Sequence, residues 1–131
     1  MTPGRQCILV VDDDDMIRDS LSLALDDEGF ETRGAGNGRE ALRLLRRWRP
    51  DLILLDLMMP DLDGWTFRRE QRRVKGCASI PVVIVSAVYV LADEARALAA
   101  AAAFPKPFDL NELIATVSRL LGSPYQLSKP R

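Results

Sequence analysis

The sequence predicts an α/β domain built on a doubly wound, five-stranded parallel sheet of order 2-1-3-4-5, with helices on both faces. Three observations lead there. Short apolar runs alternate with stretches of helical periodicity five times along the 131 residues. The strongest runs, Leu52-Ile53-Leu54-Leu55 and Pro81-Val82-Val83-Ile84-Val85, carry no polar alternation, as strands buried on both faces do not. Polar residues then stand directly behind the runs: Asp12-Asp13, Asp56 and Ser86. In an open α/β sheet that position is the ligand-binding rim, and right-handed crossovers leave few topologies to consider.

The elements follow in order. Gln6 to Val11 reads as the first strand and ends in four aspartates, Asp12 to Asp15. A helix starts near Met16 with Ile17, Leu21, Ala24 and Leu25 on one face, and Gly29 stops it. Phe30 to Ala35 is short and polar and belongs at a sheet edge. Asn37 three residues before Glu40 makes a capping box, and Ala41, Leu44, Leu45 and Trp48 form the apolar stripe of the second helix, closed by Pro50. After the third strand, Leu52–Leu55, a helix is expected from Trp65 to about Val74; Arg68, Arg69, Gln71, Arg72 and Arg73 leave it few apolar positions. Ile80 to Val85 is the fourth strand, with its proline near the start, where a strand tolerates one. Leu91 to Ala100 is alanine-rich and helix-prone, and Ala102 to Phe104 forms a last short strand. Asp109 and Glu112 cap a final helix carrying Leu110, Leu113, Ile114, Val117, Leu120 and Leu121, which Gly122 ends. The domain is therefore expected over residues 1–121, with 122–131 a flexible tail or linker.

Composition narrows the function classes. Hydrophobic residues make up 47% and charged residues 28%, an ordinary globular balance. The net charge of −1 gives no bulk field for nucleic acid or an anionic membrane. No signal-peptide core follows the first residues, and no apolar run reaches transmembrane length. Cys7 and Cys77 make no spaced framework, so a reduced, cytoplasmic setting is expected. Histidine is absent, which removes His metal sites, His general bases and any internal phosphohistidine.

The aspartates carry the chemistry. Helix capping accounts for Asp14 or Asp15, but Asp12 and Asp13 exceed what a cap needs, and closely packed carboxylates repel unless a cation neutralises them. In the expected topology Asp12, Asp13 and Asp56 converge in one crevice, and Ser86 and Lys106 open on the same edge. The runs VVDDDD, LLDLMMPDLDGW, VIVSA and FPKPFDL stand in the order and spacing of the motifs of bacterial response-regulator receiver domains. The chain resembles that family, in its single-domain CheY form, over residues 5–121. The resemblance implies a CheY- or flavodoxin-like fold and a role in two-component signal transduction. Asp56 would be the phosphoacceptor, supplied by a sensor histidine kinase or histidine phosphotransfer protein. It implies Mg²⁺ held by Asp12, Asp13, Asp56 and the backbone carbonyl of Met58, with Ser86 and Lys106 on the phosphoryl oxygens. Ser86 is expected to swing inward only on activation. The chain would catalyse its own phosphorylation and dephosphorylation and switch contacts with a downstream protein, with no direct nucleic-acid or membrane binding.

Several positions depart from the family pattern. Ala99 replaces its glycine before the last strand, Ala103 stands where a switch aromatic is usual, with Phe104 one residue later, and Pro105 precedes the lysine. Without that aromatic, rearrangement on activation is expected in Val88–Leu91, where Tyr89 and Leu91 are the bulky residues. These departures keep one alternative open, a receiver-fold interaction module with vestigial phosphorylation. A second alternative is a haloacid-dehalogenase-type phosphatase, since Asp61-Leu62-Asp63-Gly64 has the form of its DxDG signature, although Asp56 holds the strand-end position. The arginines of the second and third helices read as solvated faces or a docking surface for an acidic partner.

Overall fold

The computed structural model describes residues 5–87 and 92–122. Its elements are β1 (Cys7–Val11), α1 (Asp15–Asp27), β2 (Glu31–Ala35), α2 (Gly38–Leu45), β3 (Leu52–Leu55), α3 (Gly64–Gln71), β4 (Val82–Ala87), α4 (Ala92–Ala97), β5 (Ala102–Lys106) and α5 (Leu110–Leu121). The strands form one parallel sheet in the order β2-β1-β3-β4-β5, as the sequence predicts, with the polar β2 at an edge. Tyr89 and Leu91, and the tail beyond Gly122, lie outside the described residues.

Alternation along each central strand feeds two separate cores. Leu9, Val11, Ile53, Leu55, Val82 and Ile84 face one side, where Ala41 and Leu45 of α2 and Phe67 of α3 cover them. Ile8, Val10, Leu52, Leu54, Val83 and Val85 face the other, under Leu21 and Leu25 of α1 and Leu113, Ile114 and Val117 of α5. Strands this uniformly apolar need cover on both faces, and the crossover helices supply it. Asp14, Asn37, Asp63 and Asp109 cap α1, α2, α3 and α5, each side chain accepting from backbone N–H groups of the first turn.

The boundaries shift where tertiary contacts overrule local pattern. β4 starts later than expected and runs on through Ser86 and Ala87, and β5 continues past Phe104 through Pro105 and Lys106; Ser86 pairs with Pro105 and Ala87 with Lys106. Both functional candidates thus sit on strands, not on the loops after them. Proline is tolerated in β5 because that strand lies at the sheet edge.

α3 departs from the expectation of a solvated arginine face at one position: Arg69, Arg72 and Arg73 are exposed, and Arg68 is not. Arg68 and Gln71 are buried. The Arg68 guanidinium donates to the carbonyls of Leu98 (3.1 Å), Ala99 (3.3 Å) and Ile80 (3.4 Å) and to Gln71 Oε1 (2.9 Å). Gln71 Nε2 donates to the carbonyls of Cys77 (2.9 Å) and Ile80 (3.2 Å). The polar pair is buried because backbone carbonyls at the end of α4 and ahead of β4 satisfy its donors. Burial, with Arg72 nearby, lowers the Arg68 pKa, yet guanidinium stays charged in proteins. Ala99 has φ 55°, the left-handed region that usually calls for glycine, and the Arg68 bond to its carbonyl holds the turn there.

Candidate functional site

Four strand ends build the site. Asp12 follows β1, and its Oδ1 accepts the Asp14 N–H at 2.9 Å, which turns the carboxylate inward over the sheet edge. Asp13 is exposed beside it. Asp56 follows β3 and is 4% exposed; its Oδ1 accepts the Met58 N–H at 3.0 Å. The loop behind Asp56 is held down by Gly64, whose N–H donates to Leu57 O at 3.0 Å. A Cβ at Gly64 would sit 2.7 Å from the Leu57 Cα and 3.0 Å from the Asp56 carbonyl, so only glycine permits this approach.

The remaining candidates converge on Asp56. Ser86 Oγ donates to Asp56 Oδ1 at 3.1 Å, and Lys106 Nζ donates to Asp56 Oδ2 at 3.1 Å and pairs with Asp12 Oδ2 at 2.9 Å. The Ser86 hydroxyl is already inside, bonded to the carboxylate, which corrects the expectation that it swings in only on activation. An inward hydroxyl has the Asp56 Oδ1 as an acceptor that an outward one would lack.

One ammonium serves two carboxylates, and the titration follows. Burial pushes the Asp12 carboxyl above its ordinary 3.8, and Asp56 adds to the push; the Asp14 amide and Lys106 oppose it without cancelling it. For Lys106 burial acts to lower the pKa, but the bonds to Asp12 and Asp56 outweigh it and hold the ammonium above its ordinary 10.5. Ligand oxygens of Asp12, Asp13 and Asp56 lie within 4.8 Å of one another. Three carboxylates against one ammonium leave an excess of negative charge, and an all-oxygen donor set suits a hard divalent cation such as Mg²⁺. The residues present therefore fit the metal.

Asp61 and Asp63, which carry the phosphatase-like signature, are engaged elsewhere. Asp63 Oδ1 accepts the Thr66 N–H at 2.7 Å and caps α3. The Asp61 carboxylate accepts the Gly38 and Arg39 N–H groups, each at 3.2 Å, across the start of α2. Burial acts to raise the Asp61 pKa, but these amides and those of Leu62 and of Asp61 itself hold it below 3.8. No local pattern announces that Asp61 serves a helix more than twenty residues upstream.

The model of the response regulator receiver domain family matches residues 8–118. This chain belongs to that family. Receiver domains are the phosphorylated modules of two-component signal transduction. Its relatives include the DNA-binding response regulator MtrA of Mycolicibacterium smegmatis, 41% identical over 119 residues, which cover 89% of this chain and 51% of that protein. The transcriptional regulator RpaA of Synechocystis is 37% identical over 116 residues, covering 87% of this chain and 48% of that protein. This receiver chain thus spans about half the length of these curated relatives. Among solved structures, the chemotaxis protein CheY4 of Vibrio cholerae superposes with a TM-score of 0.80 at 30% identity, over 88% of this chain and 98% of that one. A response regulator from Chloroflexus aurantiacus superposes with a TM-score of 0.83 at 29% identity, over 91% and 99%. No helix among the described residues is long and apolar enough to cross a membrane.

Proposed function

We propose that Asp56 is the phosphoacceptor of this receiver domain and takes its phosphoryl group from a partner phosphohistidine. The observation that carries the reading is the pair of contacts on one buried carboxylate, Ser86 on Oδ1 and Lys106 on Oδ2. A bound Mg²⁺ at Asp12, Asp13, Asp56 and the Met58 carbonyl would neutralise charge between the carboxylates and the incoming phosphoryl oxygens. The chain's own residues do the rest. An Asp56 oxygen attacks phosphorus in line as the phosphorus–nitrogen bond of the donor breaks, and the imidazole leaves with its electron pair. Lys106 stays with Asp12 and turns its remaining donors to a phosphoryl oxygen, while the Ser86 hydroxyl moves its bond from Asp56 to another. Both donors stand in place before the reaction, so little reorganisation accompanies the charge shift. These 131 residues contain no histidine, so the donor histidine lies outside them, on this reading in a sensor histidine kinase or histidine phosphotransfer protein.

On this reading residues 1–121 form the receiver unit, the setting is cytoplasmic, and the output is a protein contact, not nucleic-acid binding by this domain. Asp56→Asn should abolish labelling by a phosphorylated kinase, with the intact protein gaining one phosphoryl mass only when Asp56 is present. Phosphate mapped by mass spectrometry to Asp61 or Asp63 would sink the assignment.

A further inference from the structure

We propose that the cleft between α2 and α3 is a docking site for an acidic protein segment that carries an apolar side chain, and that it is used independently of phosphorylation. Leu42, Leu45 and Val74 floor a hollow of about 360 Å³, and Arg46, Arg49, Arg73 and Lys75 stand around its mouth. A second hollow of about 170 Å³ continues it along α2, sharing Leu42 and Arg46 and adding Arg39 and Arg43.

The charge in this groove is built in and not balanced. Arg39, Arg43 and Arg46 follow one another at helical i,i+4 and i,i+3 spacing, where like charges repel. None of them has an ion pair among the described residues; Glu70, the acid lining the groove, is already 3.5 Å from Arg73. Arg49 is fixed at one end, donating to the Lys75 carbonyl at 3.4 Å and lying so close over Gly76 that a Cβ there would meet Nη2 at 2.5 Å. Such a cation row in a chain of net charge −1 is a local feature, not a bulk one. The apolar floor selects the occupant. A nucleic acid would satisfy the arginines but leave the partly exposed Leu42 and Val74 uncovered, whereas an acidic segment with a leucine-like anchor satisfies both.

Placement separates this cleft from the phosphorylation site. Arg49 precedes β3 and Lys75 precedes β4, so this end of the groove lies at the amino ends of the strands, opposite Asp56. A partner seated there leaves Asp56 open to its donor.

The test uses the full chain and three probes: a synthetic peptide of about 15 residues with glutamates flanking leucines at helical spacing, the same peptide with serine for leucine, and a single-stranded oligonucleotide. The Glu/Leu peptide should bind, should shift amide resonances of residues 39–49 and 70–76, and should lose roughly tenfold in affinity to the Arg43→Glu, Arg46→Glu variant. It should still permit phosphoryl labelling of Asp56. The serine peptide and the oligonucleotide should bind at least several-fold more weakly. Equal affinity for the serine peptide or tighter binding of the oligonucleotide would overturn the proposal in favour of general polyanion attraction. Shifts centred on α4 and β5, unchanged affinity in the variant, or blocked labelling with the peptide bound would overturn it as well. Failure of labelling without peptide bears on Asp56 alone.

Discussion

At the scale of single residues, Asp12 shows how a function-bearing group departs from what stability favours. Its carboxylate is 2% exposed and shares its one cation with Asp56. Because folding raises its pKa, the fold favours the protonated form: this contribution is greatest below 3.8 and is lost as the pH rises through the raised value. Asp12→Asn should therefore stabilise the metal-free protein near neutral pH, by about 1 kcal/mol, while weakening the thermal shift that Mg²⁺ produces. Denaturant melts with and without chelator check both, and a loss of stability in the chelated mutant would contradict the account. The aspartates and Asp56 were readable in the sequence because strand-end carboxylates have no packing use. The Lys106 bridge was not, because it depends on β5 extending beyond its apolar run. Nor could the burial of Arg68 be read, since its partners are carbonyls at residues 80, 98 and 99, and backbone acceptors leave no trace in side-chain pattern. Arg68→Met should cost about 3 kcal/mol and Arg68→Lys less, measured by urea unfolding.

Among the elements, α2 and α3 are joined through a loop, and the joint has a pH signature. Asp61 accepts two N–H groups of the first turn of α2 from its place in the β3–α3 loop. Its pKa is depressed on folding, so its stabilisation is present above 3.8 and disappears as the pH falls through the lowered value. Asp61→Asn should flatten that part of the acid limb of the stability curve and cost only a few tenths of a kcal/mol at pH 7, because the group is exposed. Strand order, the caps of α1, α2 and α5 and the cover on both faces were legible in advance, since periodicity and cap residues are local signals, whereas Asp63 was not read as the cap of α3. The ends of β4 and β5 were not, because pairing between them carries Ser86 and Lys106 past the point where hydrophobicity stops.

For the whole molecule, the sheet is a partition. Ala103 and Phe104 are neighbours in sequence but belong to opposite cores, Ala103 packing against the cluster that holds Ile53, Leu55 and Ile84 and Phe104 against the one that holds Leu54, Val83 and Val85. Phe104 therefore cannot take the place of the absent switch aromatic, since one step along a strand crosses the sheet. Phe104→Ala should destabilise the fold by about 2 kcal/mol and leave the hydrogen-exchange response to Mg²⁺ and beryllofluoride unchanged. Ala103→Tyr should alter that response in α4 with a smaller effect on stability. A response that followed position 104 and ignored 103 would refute the partition.

The guanidinium of Arg68 has a consequence for how the chain tolerates change. Three of its four acceptors are peptide carbonyls, which every amino acid supplies. The connection between α3 and the approach to β5 thus draws most of its donors from one codon, Arg72 adding a single bond to the Leu98 carbonyl at 3.3 Å, and those acceptors from none. In a saturation library scored for folded protein, position 68 should be nearly invariant. Position 99, with its φ of 55°, should admit glycine freely and reject valine and isoleucine. A drifting lineage could rewrite most of the α4 end and keep the tether, but a single change at codon 68 would leave only the exposed Arg72 bond to hold it.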